Sequence, residues 1–121
     1  MREGDAVRFS LDIEQARVGD WRGTNFGPPD LGDMTLGVCE EAGELAHAVL
    51  KGRQGIREMR DPAVCERAIR DAVGDVCVYL FGVCDVFSWS LEEIIKETVD
   101  EVIKRNWLAD SMNGKAVDGD E

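Results

Sequence analysis

Between Asp61 and Cys84 the chain leaves little choice of local structure. Apolar residues recur three and four apart, at Cys65, Ala68, Ile69, Ala72, Val73, Val76, Cys77, Leu80 and Cys84, with Asp61 and Pro62 just ahead of them. That spacing lays an apolar stripe along an α-helix. Aspartate is a good N-cap, and proline suits the first helical position, where its missing N–H has no intrahelical partner to lose. Two carboxylates, Asp71 and Asp75, interrupt the run one turn apart, so they share a face.

Three more helices follow from the same signals. The first begins near Ser10 as cap, carries Leu11, Gln15, Val18 and Trp21 along one side, and stops at Gly23 and the NFGPPDLGD stretch. The alternation of Val7, Phe9, Leu11 and Ile13 would also suit a short strand, but no second strand candidate exists to satisfy its backbone. The second helix runs from about Met34 to Lys51, with Asp33 or Thr35 as cap, Leu45, Val49 and Leu50 toward the core, and Gly52 to end it. Ser90 and Glu93 make a capping box for the fourth, whose Leu91, Ile94, Ile95, Val99, Val102 and Ile103 form a stripe reaching about Trp107. The expected fold is all-α, a four-helix bundle over residues 1–107, with 108–121 as a flexible acidic tail.

A chain of 121 residues supports one modest domain whose core often grows by association. The net charge of −11 argues against nucleic-acid duplexes and anionic membranes as partners, because both require a basic footprint. Cys39, Cys65, Cys77 and Cys84 have neither Cys-x-x-Cys spacing nor companion histidines, and read as buried reduced thiols. No signal-like segment and no long apolar run is present, so the protein is expected to be cytoplasmic.

The second helix has its own acidic cluster. Glu40 and Glu44 share one face, Glu41 and Glu44 another, inside GVCEEAGELAHAVLK. Like charges so placed repel, and helices this rich in Val, Leu, Ala and Cys must pack, so a compensating cation is expected. Carboxylates are hard donors, which points to Mg2+, Mn2+ or Ca2+ rather than zinc or copper, held between the Glu40, Glu41, Glu44 cluster and the Asp71, Asp75 cluster. Magnesium in turn implies phosphate, since its shell is usually completed by substrate oxygens. The basic exception in this acidic chain runs from Lys51 to Arg70. Lys51, two turns beyond Glu44 on one helical face, and Arg53 are candidates for phosphate, as are Lys104 and Arg105 near the end of the fourth helix. Trp21, Asn25 and Phe26, at the joint between the first two helices, are candidates to stack on a base and read its edge.

The run EEAGELAHAVLKGRQGIR, followed by DAVGDVCVYL and TVDEVIKRNW, resembles the MazG-like all-α nucleoside triphosphate pyrophosphohydrolases over roughly residues 21 to 107. The family signature pairs two glutamates separated by two residues with a later glutamate and aspartate separated likewise. Glu41 and Glu44 match the first pair, with Glu40 beside them, and Asp75 matches the final aspartate. Ala72 departs from the pattern where a glutamate is usual, and Asp71 offers a neighbouring carboxylate. The resemblance implies Mg2+-dependent hydrolysis of a (deoxy)nucleoside triphosphate to the monophosphate and pyrophosphate, in a bundle completed by dimerisation or tetramerisation. Glu40, Glu41 and Glu44 would then be the catalytic carboxylates, Glu40 or Glu41 accepting a proton from the attacking water. Two alternatives stand beside this one. Glu44 and His47 form a Glu-x-x-His pair of the kind that holds iron or manganese in ferritin-like bundles. A helical dimer that binds nucleotide or protein without turnover, its metal site degenerate at Ala72, is the non-enzymatic reading.

Overall fold

Each helix begins where a side chain can take the place of a missing backbone acceptor. The computed structural model describes residues 9–109, which are all-helical apart from their connections. Helix α1 (Leu11–Phe26) is capped by Ser10, α2 (Leu31–Gln54) by Asp30, α3 (Pro62–Val86) by Asp61 and α4 (Leu91–Val102) by Ser90. A short 3-10 turn, Arg57–Arg60, joins α2 to α3. The caps of α1 and α4 are also tied to each other. Glu92 accepts from the Leu11 N–H at 3.0 Å and from the Ser10 hydroxyl, while the Ser90 hydroxyl donates to Asp12 at 2.6 Å.

The starts of α3 and α4 fall where the sequence predicts, and several other boundaries do not. Helix α2 begins three residues before Met34 because Asp30, rather than Asp33 or Thr35, accepts the Asp33 N–H at 2.9 Å. It passes through Gly52 and ends at Gly55, which takes the left-handed conformation at φ 63°. Gly52 serves instead as a contact point, since a Cβ there would run into the Cys65 sulfur. Helix α1 likewise passes through Gly23 and ends at Gly27, at φ 88°, whose N–H closes onto the carbonyls of Arg22 and Gly23. Helix α4 stops at Val102, well short of Trp107, which is exposed in the following turn. Val7, part of the strand alternative set aside above, and the segment of the expected tail from Asp110 onward lie outside the described residues.

Helices α2 and α3 form an antiparallel hairpin whose register is set by small residues. Gly37 receives the ring of Tyr79, Gly82 receives the sulfur of Met34, and Gly52 receives Cys65. Carried along both helices, that register sets Glu41 across from Asp75 and Glu44 across from Ala72. The core sits at the other side of α3, where Phe81, Cys84 and Leu91 are buried and Leu11, Val18, Leu80 and Ile94 pack against them. Burial pushes the Cys84 thiol above its usual range, with the Asp85 carboxylate adding to the effect, so this cysteine behaves as a hydrophobe. Cys39, in contrast, is exposed, and Val49 and Leu50 remain half open to solvent because, among the described residues, α2 packs against α3 and the 3-10 turn that leads into it.

A polar clasp fastens α1 to the end of α3. Arg22, 5% exposed, donates to Asp85 at 3.0 Å and to the Val78 carbonyl. Gln15, also buried, donates to Asp85 and to the Trp89 carbonyl, both at 2.8 Å, and accepts the Leu91 N–H at 3.0 Å. No buried side-chain polar atom among the described residues lacks a partner, which is what makes burial of the clasp tolerable. The absence of a side chain at Gly82 and at Gly19 leaves the room that Arg22 and Asp85 occupy.

Candidate functional site

Two clefts open along the α2–α3 hairpin and share a wall. The larger, about 510 Å³, has Trp21, Phe26 and Tyr79 at one end with Pro28, Met34 and Val78 beside them. Asp30, Asp33, Glu41 and Asp75 supply its carboxylates, and Arg22 lies under it. The smaller, about 170 Å³, is bounded by Glu41, Glu44, Asp71 and Asp75, with Ala48 and Ala72 as its buried floor. Glu41 and Asp75 therefore face both spaces, and four of the five carboxylates expected from sequence to hold the metal come to one groove.

Their mutual repulsion is legible on Glu41. Its carboxyl is pushed above the ordinary glutamate range, first by partial desolvation and then by the charges of Asp75, Glu40 and Glu44. The largest of the charge effects thus comes from the facing helix rather than from the two neighbours on α2. Among the described residues, no cationic side chain pairs with Glu41, Glu44, Asp71 or Asp75. Nor, among those residues, does any group of three or more His, Cys, Asp or Glu donors converge into a ready-made metal site. The donor set suits a hard cation in kind and in location, while chelation requires the exposed Glu44, Asp71 and Asp75 side chains to turn inward toward Glu41. Glu40 is exposed beside Glu41 and lines neither cleft.

The basic candidates separate. Lys51 lines a third cleft, about 360 Å³, together with His47, Arg57 and Met59, with Glu58 as its one carboxylate. His47 and Met59 also border the small carboxylate cleft, so the basic space continues from the acidic one. Arg57 holds φ 53°, a left-handed conformation that costs a non-glycine residue about 1 kcal/mol or more. Arg53 points to a different surface, shared with Cys65 and Ile69. Lys104 pairs with Glu101 at 3.2 Å beyond the end of α4, and Arg105 is exposed next to it, both away from the clefts.

At the aromatic end, Trp21 and Phe26 meet edge to face with ring centroids 5.6 Å apart, and both are largely exposed to the cleft side. Asn25 does not line the space, its amide donating instead to the Trp21 carbonyl at 2.8 Å. Tyr79, Met34, Asp33 and Arg22 contribute to the cleft without having been singled out from sequence. Asp85, a lone acid in FGVCDVF, was the available hint of a buried cation, because a carboxylate in such a run needs a partner.

No family model matches the chain, and comparison with curated proteins and with solved structures yields no match. The functional reading therefore rests on the groove itself: an aromatic compartment, a wall of carboxylates and a basic compartment, arranged in that order along one hairpin.

Proposed function

We propose that the protein is a cytoplasmic, MazG-like nucleoside triphosphate pyrophosphohydrolase, releasing pyrophosphate from a (deoxy)nucleoside triphosphate and active as a homo-oligomer. The observation that carries this reading is the position of Glu41 and Asp75 on the wall between the aromatic cleft and the carboxylate cleft. A base stacked on Trp21 and Phe26 would direct its phosphates past that wall toward His47, Lys51 and Arg57. The 510 Å³ space lies within the usual range for small-ligand sites.

Mg2+ held by Glu41, Glu44, Asp71 and Asp75 would neutralise the polyphosphate and polarise the phosphorus under attack. Whichever of Glu40 and Glu41 is not fully engaged with the metal would accept the proton of the attacking water. Lys51 and Arg57 would hold the departing pyrophosphate, and their charge matters most as negative charge builds on it. Ala72 leaves a gap across from Glu44, which Asp71 borders from the same helix.

Oligomerisation is supported by α4. Ile95, Val99 and Val102 follow one another at helical spacing and are 41%, 47% and 44% exposed, an apolar face that is open among the described residues. A second reading, a helical nucleotide- or protein-binding dimer without turnover, draws on Ala72 and on the lack of converged donors among the described residues.

The deciding experiment is pyrophosphate release from a panel of ribo- and deoxynucleoside triphosphates, with and without Mg2+, for the protein and its Glu44→Gln variant. Mg2+-dependent release that disappears in the variant is the expected result. Nucleotide binding with no release from a folded, Mg2+-supplied protein would transfer the case to the second reading.

A further inference from the structure

The polar groups at the aromatic end of the larger cleft differ in what they have left to offer. Arg22 is committed to Asp85 and to the Val78 carbonyl, and Asn25 to the Trp21 carbonyl. One oxygen of Asp30 is taken by the Asp33 N–H. Glu41 and Asp75 belong equally to the adjoining carboxylate space. Asp33 is different: among the described residues its carboxylate accepts no hydrogen bond, and it borders the same space as Trp21, Phe26 and Tyr79. Both of its oxygens are acceptors, and two adjacent acceptors are satisfied best by two adjacent donors.

Among the common bases, guanine alone presents two neighbouring donors, its ring N1–H and its 2-amino group. Cytosine and adenine offer one amino donor next to a ring acceptor, which a carboxylate repels. Uracil and thymine offer a single N–H between two carbonyl oxygens. We infer that the aromatic end of the cleft selects a 2-amino-6-keto purine, a guanine nucleotide, with Asp33 accepting from N1–H and the 2-amino group while Trp21 and Phe26 hold the ring. Tyr79 and Trp21, which line the same space and whose side-chain donors make no hydrogen bond among the described residues, are the side chains with a donor left for the 6-keto oxygen. This deepens the hydrolase reading and rests on it for the placement of the phosphates. The base contact itself needs no turnover.

Guanosine and inosine nucleotides isolate the contact, since they differ only by the 2-amino group. Affinities of guanosine and inosine monophosphates are measured by calorimetry on the full chain and on Asp33→Asn, alongside hydrolysis of dGTP and dITP. Because Asp33 is partly in water, a preference of about tenfold for the guanine member is expected, matching a charge-assisted hydrogen bond at a solvated site. Asp33→Asn should bring that preference close to unity, with circular dichroism confirming an unchanged helix content. Equal affinity for the two monophosphates, or a guanine preference that survives Asp33→Asn, overturns the inference. A guanine preference in binding with no hydrolysis of either triphosphate would sustain the inference and overturn the hydrolase reading. No binding of either monophosphate at millimolar concentration overturns it as well.

Discussion

Replacing Asp85 by alanine should cost this small protein a large part of its stability, and the clasp around it shows why. The substitution removes the acceptor for Arg22 Nη1 and for one Gln15 contact, while Gln15 keeps the Trp89 carbonyl and Arg22 keeps the Val78 carbonyl at 3.3 Å. What is stranded is the charge. The Arg22 side chain is only 6% exposed, and stripping a buried ion of its partner typically costs about 3–5 kcal/mol. Solvent reaches the Asp85 side, which is 25% exposed, and screens part of that loss, so about 2–4 kcal/mol is expected. For a domain of this size each kcal/mol moves the melting temperature by roughly 4–8 °C, giving a drop on the order of 8–32 °C. Thermal melts and urea titrations followed by circular dichroism measure it directly. Because the damage is an orphaned cation, a second substitution should repair it. The pair Arg22→Met with Asp85→Leu should be more stable than Asp85→Ala alone, as apolar replacement of a buried pair often is. A loss under about 1 kcal/mol for Asp85→Ala, or no recovery in the double variant, would refute the argument that an isolated charge is the cost.

Other consequences are simpler to state. Gly37→Ala drives a methyl group into the Tyr79 ring and should destabilise by about 1–3 kcal/mol in denaturant titrations. Gly82→Ala meets the flexible Met34 sulfur as well as Arg22, and its loss should be smaller if the thioether can move aside. Since Glu41 holds its proton more tightly in the folded state than in the unfolded chain, the folded state binds more protons just above the ordinary carboxylate range. Stability should therefore fall as pH rises through that window and recover on acidification into it. Glu41→Gln should flatten this part of the pH profile of urea midpoints, and an unchanged profile would count against the electrostatic account. Val99→Glu places a charge in the middle of the open α4 face and should shift the protein toward monomer in sedimentation velocity, with helix content retained.

The sequence carried the short-range features well. The Asp61–Pro62 start and the Ser90 cap depend on contacts within three residues, so composition alone locates them. Helical periodicity likewise brought Glu41 and Glu44 toward the same groove as Asp71 and Asp75. Glycine was harder to read, because it serves equally as a stop and as a place for another chain to approach. Gly27 and Gly55 stop helices, while Gly23 and Gly52, equally plausible in sequence, do not. What depends on partners far apart in the chain was not accessible: Arg22 meets Asp85 across 63 residues, and the pairing of Ala72 with Glu44 exists only once the hairpin register is fixed. The open faces of Val49, Leu50 and α4 looked like core in a pattern that records apolarity and not what covers it.

The hairpin of α2 and α3 also divides the groove by ancestry in the chain. Its carboxylates come from two consecutive helices joined by a short turn, so they assemble through local contacts that close quickly and need little loop entropy. Trp21 and Phe26 reach the same groove from α1, which is held by the Arg22–Asp85 and Gln15 contacts at the far end of α3. Weakening those contacts would let one wall swing away while the acidic pair remained assembled. On the proposed reading, recognition of a base and handling of its phosphates would therefore be mechanically separable, with α1 as the wall that turns an open trough into a shaped pocket.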